Sequence, residues 1–233
     1  MKAIIMAAGV GSRMRPLTDT IPKCLIDIAG KAVIEHQISA FTKCGIKDIV
    51  VVVGYLAEKI RSRLGGGVTY VLNWDYLSTN SIVSLFLAKE HLDSDCLIIN
   101  SDVICEPSVI RSMRNCNSDI CVALNTDWKL EKGYKTSVRN GCITDMSMDL
   151  TPETIFGEYA GIIMIRKAAS AKVLQKLEEF IDQKRTGEWF ENVFAALARE
   201  GEKIGFTDVK GKSWFEVDNI DELEEARNNF RPF

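Results

Sequence analysis

The chain has 233 residues, 46% of them hydrophobic, so it can bury one substantial core and is expected to form a single domain over 1–233. Its formal charge of −3 gives no general electrostatic reason to bind nucleic acid. The apolar run after Lys2 is too short for a signal peptide or membrane span, so we expect no membrane insertion and a cytoplasmic location. The seven cysteines are odd in number and include no CxxC pair, which indicates reduced thiols.

Short apolar runs alternate with amphipathic segments in the first half of the chain, a pattern typical of βαβ units. Strands are predicted at 2–8, 48–53, 68–72 and 96–100, and helices at 33–43, 56–64 and 81–90. The run at 48–53 is almost continuously β-branched, as expected of a strand covered on both faces. We therefore expect an α/β fold, with a Rossmann-like, mostly parallel mixed sheet flanked by helices.

The pattern changes after about residue 120 to short strands joined by turns. Asn140-Gly141 between β-branched runs is a strong hairpin signal, so 136–148 is predicted to form a hairpin. We interpret 126–157 as a small antiparallel flap laid over one end of the sheet. Beyond it, 158–165 returns to the core, 168–183 and 188–200 are predicted helices, 214–218 is a short strand, and a last helix ends at 229.

The first predicted strand runs directly into the glycine loop Gly9-Val10-Gly11-Ser12-Arg13. Glycines let bare backbone N–H groups approach an anion, which indicates a phosphate site. The loop is not a dinucleotide fingerprint, because Met14 stands where a third glycine belongs, and no Gly-Lys-Ser/Thr is present for a P-loop. For the glycines alone, a plain strand-to-helix turn remains the alternative.

The ordered run from Ala7 to Thr18, followed by Pro22-Lys23, resembles the signature of nucleotidyltransferases that couple an NTP to a phosphorylated acceptor. The resemblance implies that Arg13 contacts the departing β,γ-phosphates and that Lys23 sits at the reacting phosphates, so both are catalytic cations. The chemistry agrees, since attack at the α-phosphorus develops negative charge that preplaced cations stabilise. Solvated surface charge is the alternative. The residues whose backbone would wrap the triphosphate are Ala7, Ala8, Gly9, Gly11 and Ser12.

The same resemblance implies Mg²⁺ as cofactor, held by a pair of carboxylates. Asp102 follows the strand 96–100 at the edge where open α/β sheets bind ligands, and Ser101 beside it is a candidate nucleotide contact. Asp218, which closes the strand at 214–218, is the expected second ligand. For each aspartate, capping the helix that follows is the alternative.

The polar cluster at 79–84 opens a predicted helix, where free N–H groups and polar side chains are available to a ligand. In the subgroup that uses CTP with small phosphorylated alcohols, a similar stretch lies against the nucleotide. The resemblance thus implies that Thr79, Asn80 and Ser84 contact the base or the ribose. Helix capping explains Thr79 and Asn80 almost as well.

Residues 155–162 and 214–218 resemble cytidylyltransferases that act on phosphocholine or 2-aminoethylphosphonate. Such acceptors carry a cation near phosphorus, which a carboxylate and aromatic rings can recognise. The candidates for this acceptor site are Trp128, Glu158, Tyr159 and Trp189. Aromatic core packing and a surface carboxylate are the alternatives.

We therefore expect a Mg²⁺-dependent cytidylyltransferase that couples CTP to a small phosphorylated alcohol or phosphonate and releases pyrophosphate. A sugar-1-phosphate nucleotidyltransferase using another NTP is the first alternative, although such proteins generally carry more residues after the core than follow Asp218 here. A catalytically silent nucleotide-binding regulatory subunit is the second. The joint presence of Arg13, Lys23 and the aspartate pair argues against it. A homodimer is compatible with the sequence.

Overall fold

The structure is a computed structural model that describes residues 1–127 and 133–233. Its strands are β1 (Lys2–Ala7), β2 (Asp27–Ile28), β3 (Lys31–Ala32), β4 (Asp48–Val53), β5 (Thr69–Leu72), β6 (Cys96–Asn100), β7 (Val103–Cys105), β8 (Ile120–Asn125), β9 (Lys135–Arg139), β10 (Cys142–Ser147), β11 (Gly157–Ile165), β12 (Ile204–Asp208) and β13 (Trp214–Glu216). Its helices are α1 (Val33–Lys43), α2 (Ala57–Leu64), α3 (Ser81–Leu87), α4 (Pro107–Arg114), α5 (Lys167–Asp182), α6 (Glu191–Arg199) and α7 (Ile220–Asn229).

The main sheet has nine strands in the order β5-β4-β1-β6-β11-β8-β12-β10-β9. The strands β5, β4, β1 and β6 are parallel, with Ile4 of β1 opposite Val50 on one side and Ile98 on the other. Strand β11 is antiparallel to both β6 and β8, while β8 and β12 are again parallel. The predicted α/β fold with a mixed sheet flanked by helices is confirmed.

Alternation along β1 divides the core between the two faces of the sheet, because successive side chains of a strand point to opposite sides. Ile4 packs in the layer that α3, α5 and α6 cover, and Ile5 packs in the layer that α1, α2 and α4 cover. A third, smaller cluster places α7 against the segment after the glycine loop, with Met14 and Val217 buried together. Strands β1, β4 and β6 are therefore buried on both faces, and their carboxyl ends supply the free edge.

The hairpin predicted at 136–148 is present as β9 and β10, with Asn140 at φ 52° and Gly141 at φ 76° in its turn. The position of this hairpin differs from that of the predicted flap, which was expected to lie over one end of the sheet. Strand β10 pairs with β12 and β9 pairs with β11, so the hairpin extends the main sheet instead of lying over it. The β9–β11 pairing links the sheet's last strand back to β11, which makes this part of the sheet a closed ring.

All seven cysteines lie in the described part of the chain, and all are free thiols. Five of them are buried, consistent with their use as small core residues. Within residues 1–127 and 133–233, no helix combines the length and the apolar character that crossing a membrane requires.

Candidate active site

The glycine loop forms one wall of a cleft of about 350 Å³ at the carboxyl edge of β1 and β6. Gly11 has φ +67°, and a Cβ there would meet the Lys23 Cβ at 3.1 Å and the Thr18 Cγ2 at 3.2 Å, so the position strongly favours glycine. Thr18 Oγ1 donates a hydrogen bond to the Gly11 carbonyl at 2.8 Å. Within the described residues, the N–H groups of Gly9 and Gly11 donate to nothing, which leaves them for an anion.

Lys23 lies at the foot of this loop between two carboxylates. Its Nζ donates to Asp102 Oδ2 at 2.6 Å and also to Asp218 Oδ1. Arg13 reaches the other oxygen of the Asp218 carboxylate at 2.7 Å. Burial by itself would lower the pKa of the Lys23 ammonium, but the charges of Asp102 and Asp218 outweigh burial and raise that pKa above its ordinary value. Lys23 is therefore held as a cation.

A two-stranded sheet brings the two aspartates together from distant parts of the chain. Strands β7 and β13 pair antiparallel, with Val103 opposite Glu216, and the Val217 N–H donates to the Asp102 carbonyl at 3.1 Å. This pairing places the residue before β7 beside the residue that follows Val217. The sequence predicted that both aspartates close strands, but it predicted neither β7 nor the pairing of β7 with β13.

Neither aspartate caps a helix, so the structure excludes the alternative that the sequence left open for each of them. Helix α7 is capped by Asn219, whose Oδ1 accepts from the Glu222 N–H at 3.0 Å. Helix α4 has Glu106 at its N-cap position. Both aspartates line the cleft, where their carboxylates pair with Lys23 and Arg13.

The aspartate pair also fits the expected Mg²⁺. The Oδ1 atom of Asp102 is buried and has no hydrogen-bond partner among the described residues, which is the state of an oxygen that lacks its ligand. Carboxylate oxygens are the donors that Mg²⁺ prefers. The described residues contain no group of three or more metal-ligating side chains, so substrate oxygens and water would complete the coordination of an ion held by Asp102 and Asp218.

The opposite wall of the cleft contains the polar residues that precede and open α3. Asn80 is the N-cap of α3, and its Oδ1 accepts from the Ser81 N–H at 2.7 Å. Asn73, only 1% exposed, donates to Ser84 Oγ at 3.0 Å and to Thr79 Oγ1 at 3.4 Å. Thr79, Asn80, Ser84 and also Ser101 line the cleft, as do Ala8, Gly9, Gly11 and Ser12. Their contacts with a base, ribose or phosphate remain predictions.

The four acceptor candidates do not converge on one point. Trp189 lines the cleft, whereas Glu158 lines a second cavity of about 330 Å³ with Trp214 and Glu216. Glu158 is 2% exposed and its charge is paired with Lys135, whose Nζ lies 3.0 Å from Oε1. Tyr159 is buried, and Trp128 lies outside the described residues. The expectation that these residues share one site is therefore not met by Glu158 and Trp189.

The cleft residues that were missed in the sequence include Asn73, Asn100 and Glu191. Asn73 follows a predicted strand and gave a usable signal, because polar residues at carboxyl ends of strands are placed at the ligand edge. Glu191 gave none, since a glutamate in the first turn of a helix is ordinary for stability alone.

A strand-to-glycine-loop wall, two cations and two carboxylates at the edge of a mixed α/β sheet define a nucleotidyltransferase. Residues 3–199 match the MobA-like NTP transferase domain, and the chain belongs to this family.

The chain is similar to curated cytidylyltransferases over its whole length. It is 29% identical to CMP-5'-(3-aminopropyl)phosphonate synthase of Streptomyces rubellomurinus, a match that covers 100% of this chain but 39% of that protein. It is 28% identical to choline-phosphate cytidylyltransferase of Streptococcus pneumoniae, covering 98% of this chain and 99% of that protein. A solved structure of CTP:phosphocholine cytidylyltransferase from Streptococcus pneumoniae has a TM-score of 0.78 at 22% identity and covers 97% of both chains, which supports the fold.

Proposed function

We propose that this chain is a Mg²⁺-dependent cytidylyltransferase, which transfers CMP from CTP to a small phosphorylated alcohol or phosphonate and releases pyrophosphate. The observation that carries the proposal is the network in which Lys23 joins Asp102 to Asp218 while Arg13 holds the far oxygen of Asp218. A binding module would need the glycine loop but not this network, whose cations are the groups proposed to stabilise charge at a reacting phosphorus.

The chain's own residues perform most of the proposed chemistry by positioning and by charge. The free N–H groups of Gly9 and Gly11 bind the triphosphate, and Arg13 contacts the leaving pyrophosphate. Lys23 exchanges a carboxylate partner for an oxygen of the α-phosphate and stabilises the charge that develops there. When bound, Mg²⁺ supplies further positive charge at the phosphate oxygens. The acceptor oxygen is already anionic, so no side chain needs to remove a proton.

The nature of the substrates rests on similarity. Two relatives with which this chain aligns over nearly its whole length are named for CMP transfer to an aminoalkylphosphonate and for cytidylyl transfer to choline phosphate. A third, from Campylobacter jejuni, aligns over 96% of this chain and is named CTP:phosphoglutamine cytidylyltransferase. The three names share cytidylyl transfer to a small phosphorus-bearing acceptor.

The test is a matrix of the four NTPs against phosphocholine, 2-aminoethylphosphonate, other small phosphonates and sugar 1-phosphates, read as pyrophosphate release with Mg²⁺ and with excess EDTA. We expect turnover only with CTP, only with a phosphonate or phosphorylated alcohol, and only with Mg²⁺. Turnover of a sugar 1-phosphate with another NTP would instead support the sugar nucleotidyltransferase. No turnover in any combination would support the silent regulatory subunit.

A further inference from the structure

Glu191, the first residue of α6, is a buried carboxylate at the side of the cleft. It is 3% exposed, and it lines the cleft next to Asn100 and Phe190. The only hydrogen bond to its Oε1 from a described side chain comes from Asn100 Nδ2 over a long 3.4 Å. Its Oε2 is buried with no partner in the described part of the chain. Buried carboxylate oxygens without a partner are uncommon, because losing water without a replacement costs free energy.

No cation of the described residues pairs with Glu191. Burial, followed by the nearby charge of Asp102, raises the pKa of its carboxyl to about 7. Glu158 shows the contrast: it is equally buried, but Lys135 lies 3.0 Å from it. The protein therefore provides an ammonium partner for Glu158 and leaves Glu191 without one, within reach of whatever occupies the cleft.

We propose that Glu191 receives the cationic nitrogen of the acceptor, and that this nitrogen is a primary ammonium carrying N–H groups. The inference rests on the proposed function and narrows its acceptor class to ω-aminoalkyl phosphonates or phosphates. An ammonium satisfies the charge of Glu191, which a neutral hydroxyl does not. It also donates hydrogen bonds to the carboxylate oxygens of Glu191, which a trimethylammonium cannot do because it has no N–H.

Only a small side-chain rotation of Glu191 is needed for it to contact the nitrogen of the acceptor. The terminal torsion of a glutamate side chain is broad, so either carboxylate oxygen can turn towards the cleft. Asp102 lies near enough for its charge to act on Glu191, which places the proposed ammonium site next to the proposed site of transfer. A short acceptor with phosphorus at one end and nitrogen at the other fits this arrangement.

The test compares acceptors that differ only at the nitrogen end, at saturating CTP and Mg²⁺: 2-aminoethylphosphonate, its trimethylammonium analogue, and propylphosphonate, in which an uncharged methyl group replaces the ammonium. We expect wild type to prefer the primary amine in kcat/KM by about 100-fold or more, because a site built to hydrogen-bond rejects analogues that leave it unpaired. Glu191→Gln should remove most of that preference and raise the acceptor KM about tenfold or more, with the KM for CTP changed less than about threefold.

Two further variants keep the result interpretable. Glu153→Gln removes the same charge from an exposed position on the flap and should leave the preference as in wild type. Comparison of the three acceptors on wild type tests the site independently if Glu191→Gln does not fold. Wild-type preference for the trimethylammonium acceptor, or a preference that survives in Glu191→Gln but is lost in Glu158→Gln, would overturn the proposal.

The ammonium site can also be tested if the proposed transfer reaction is not observed. If wild type releases no pyrophosphate with any acceptor, calorimetric binding of 2-aminoethylphosphonate and of propylphosphonate to the CTP-loaded protein still tests the site. Binding of the amine to wild type, with loss in Glu191→Gln, would support the ammonium site without the transfer. Equal binding of both compounds, or of neither, would refute it.

Discussion

Replacing Glu191 by glutamine should make the folded protein more stable at alkaline pH and have far less effect at acidic pH. Glutamine has nearly the same shape as glutamate, so the substitution changes the charge at this site without opening a cavity. In wild type, the folded protein disfavours the ionised form, since burial and then the charge of Asp102 raise the pKa of Glu191 to about 7 from an ordinary value of 4.5.

The magnitude follows from this difference in pKa. Between the two values the folded protein retains a proton that the unfolded chain has released, so wild type loses stability as the pH rises from about 4.5 through about 7. When fully developed, this difference corresponds to roughly 3 kcal/mol. From pH 5 to pH 8 the loss is about 2 to 3 kcal/mol. Glutamine does not titrate, so the free energy of unfolding of Glu191→Gln relative to wild type should rise by about this amount.

Urea unfolding of both proteins at pH 5, 6.5 and 8, with EDTA present so that no metal ion alters the charge at Asp102, measures this difference. The other titratable groups near Glu191 are Tyr134 and Tyr159, and burial raises the pKa of both, so neither ionises over this range. Glu153→Gln, on the exposed flap, is the control, and it should change stability by less than about 0.5 kcal/mol at each pH. A difference between Glu191→Gln and wild type that does not depend on pH would refute the reasoning.

Three further predictions concern the network around Lys23. Lys23→Ala should lower kcat for pyrophosphate release by roughly 10²–10³-fold with an unchanged far-UV circular dichroism spectrum. Lys47→Ala, which removes an exposed lysine, is the control and should have no effect. Near-normal turnover of Lys23→Ala would contradict the assignment of Lys23 as a catalytic cation. Asp102→Asn should move the Mg²⁺ titration of activity to higher concentration, and an unchanged titration would exclude Asp102 as a ligand. Asn219→Ala removes the cap beside Asp218 and should cost about 1 kcal/mol in urea unfolding; no loss would mean that the cap is dispensable.

The parts of the fold that could be predicted are those that local sequence patterns determine, such as individual helices, strands and turns. Helix α1 and strands β4 and β6 have the predicted bounds, because each is a regular run of apolar residues with a clear stop signal. The Asn140-Gly141 turn was equally readable. The joining of this hairpin to β11 and β12 was not, since a pairing between distant strands depends on which edges the rest of the fold leaves free.

The candidate site was likewise predictable from the sequence only where its residues stand in local motifs. The residues of the glycine loop and the aspartates stand in local motifs, so their types and spacing pointed to phosphate chemistry. The pairing of β7 with β13, which brings Asp102 to Asp218, has no local signal. The same is true of Lys135, whose contact with Glu158 decides that this carboxylate is already paired. The sequence indicated Glu158 as an acceptor carboxylate, but it did not indicate the lysine with which that carboxylate pairs.

The charges around the cleft explain why the candidate active site favours an acceptor that carries a cationic group. Arg13 and Lys23 are matched by Asp102 and Asp218. Glu191 remains in excess in the cleft: burial, and next the charge of Asp102, raise the pKa of its carboxyl to about 7. A nucleotide and a phosphonate add only negative charge, which Mg²⁺ offsets in part. Glu191 therefore destabilises the protein without acceptor, whereas an ammonium bound at Glu191 stabilises the complex with the acceptor. The stability gained by Glu191→Gln should consequently be accompanied by weaker binding of that acceptor.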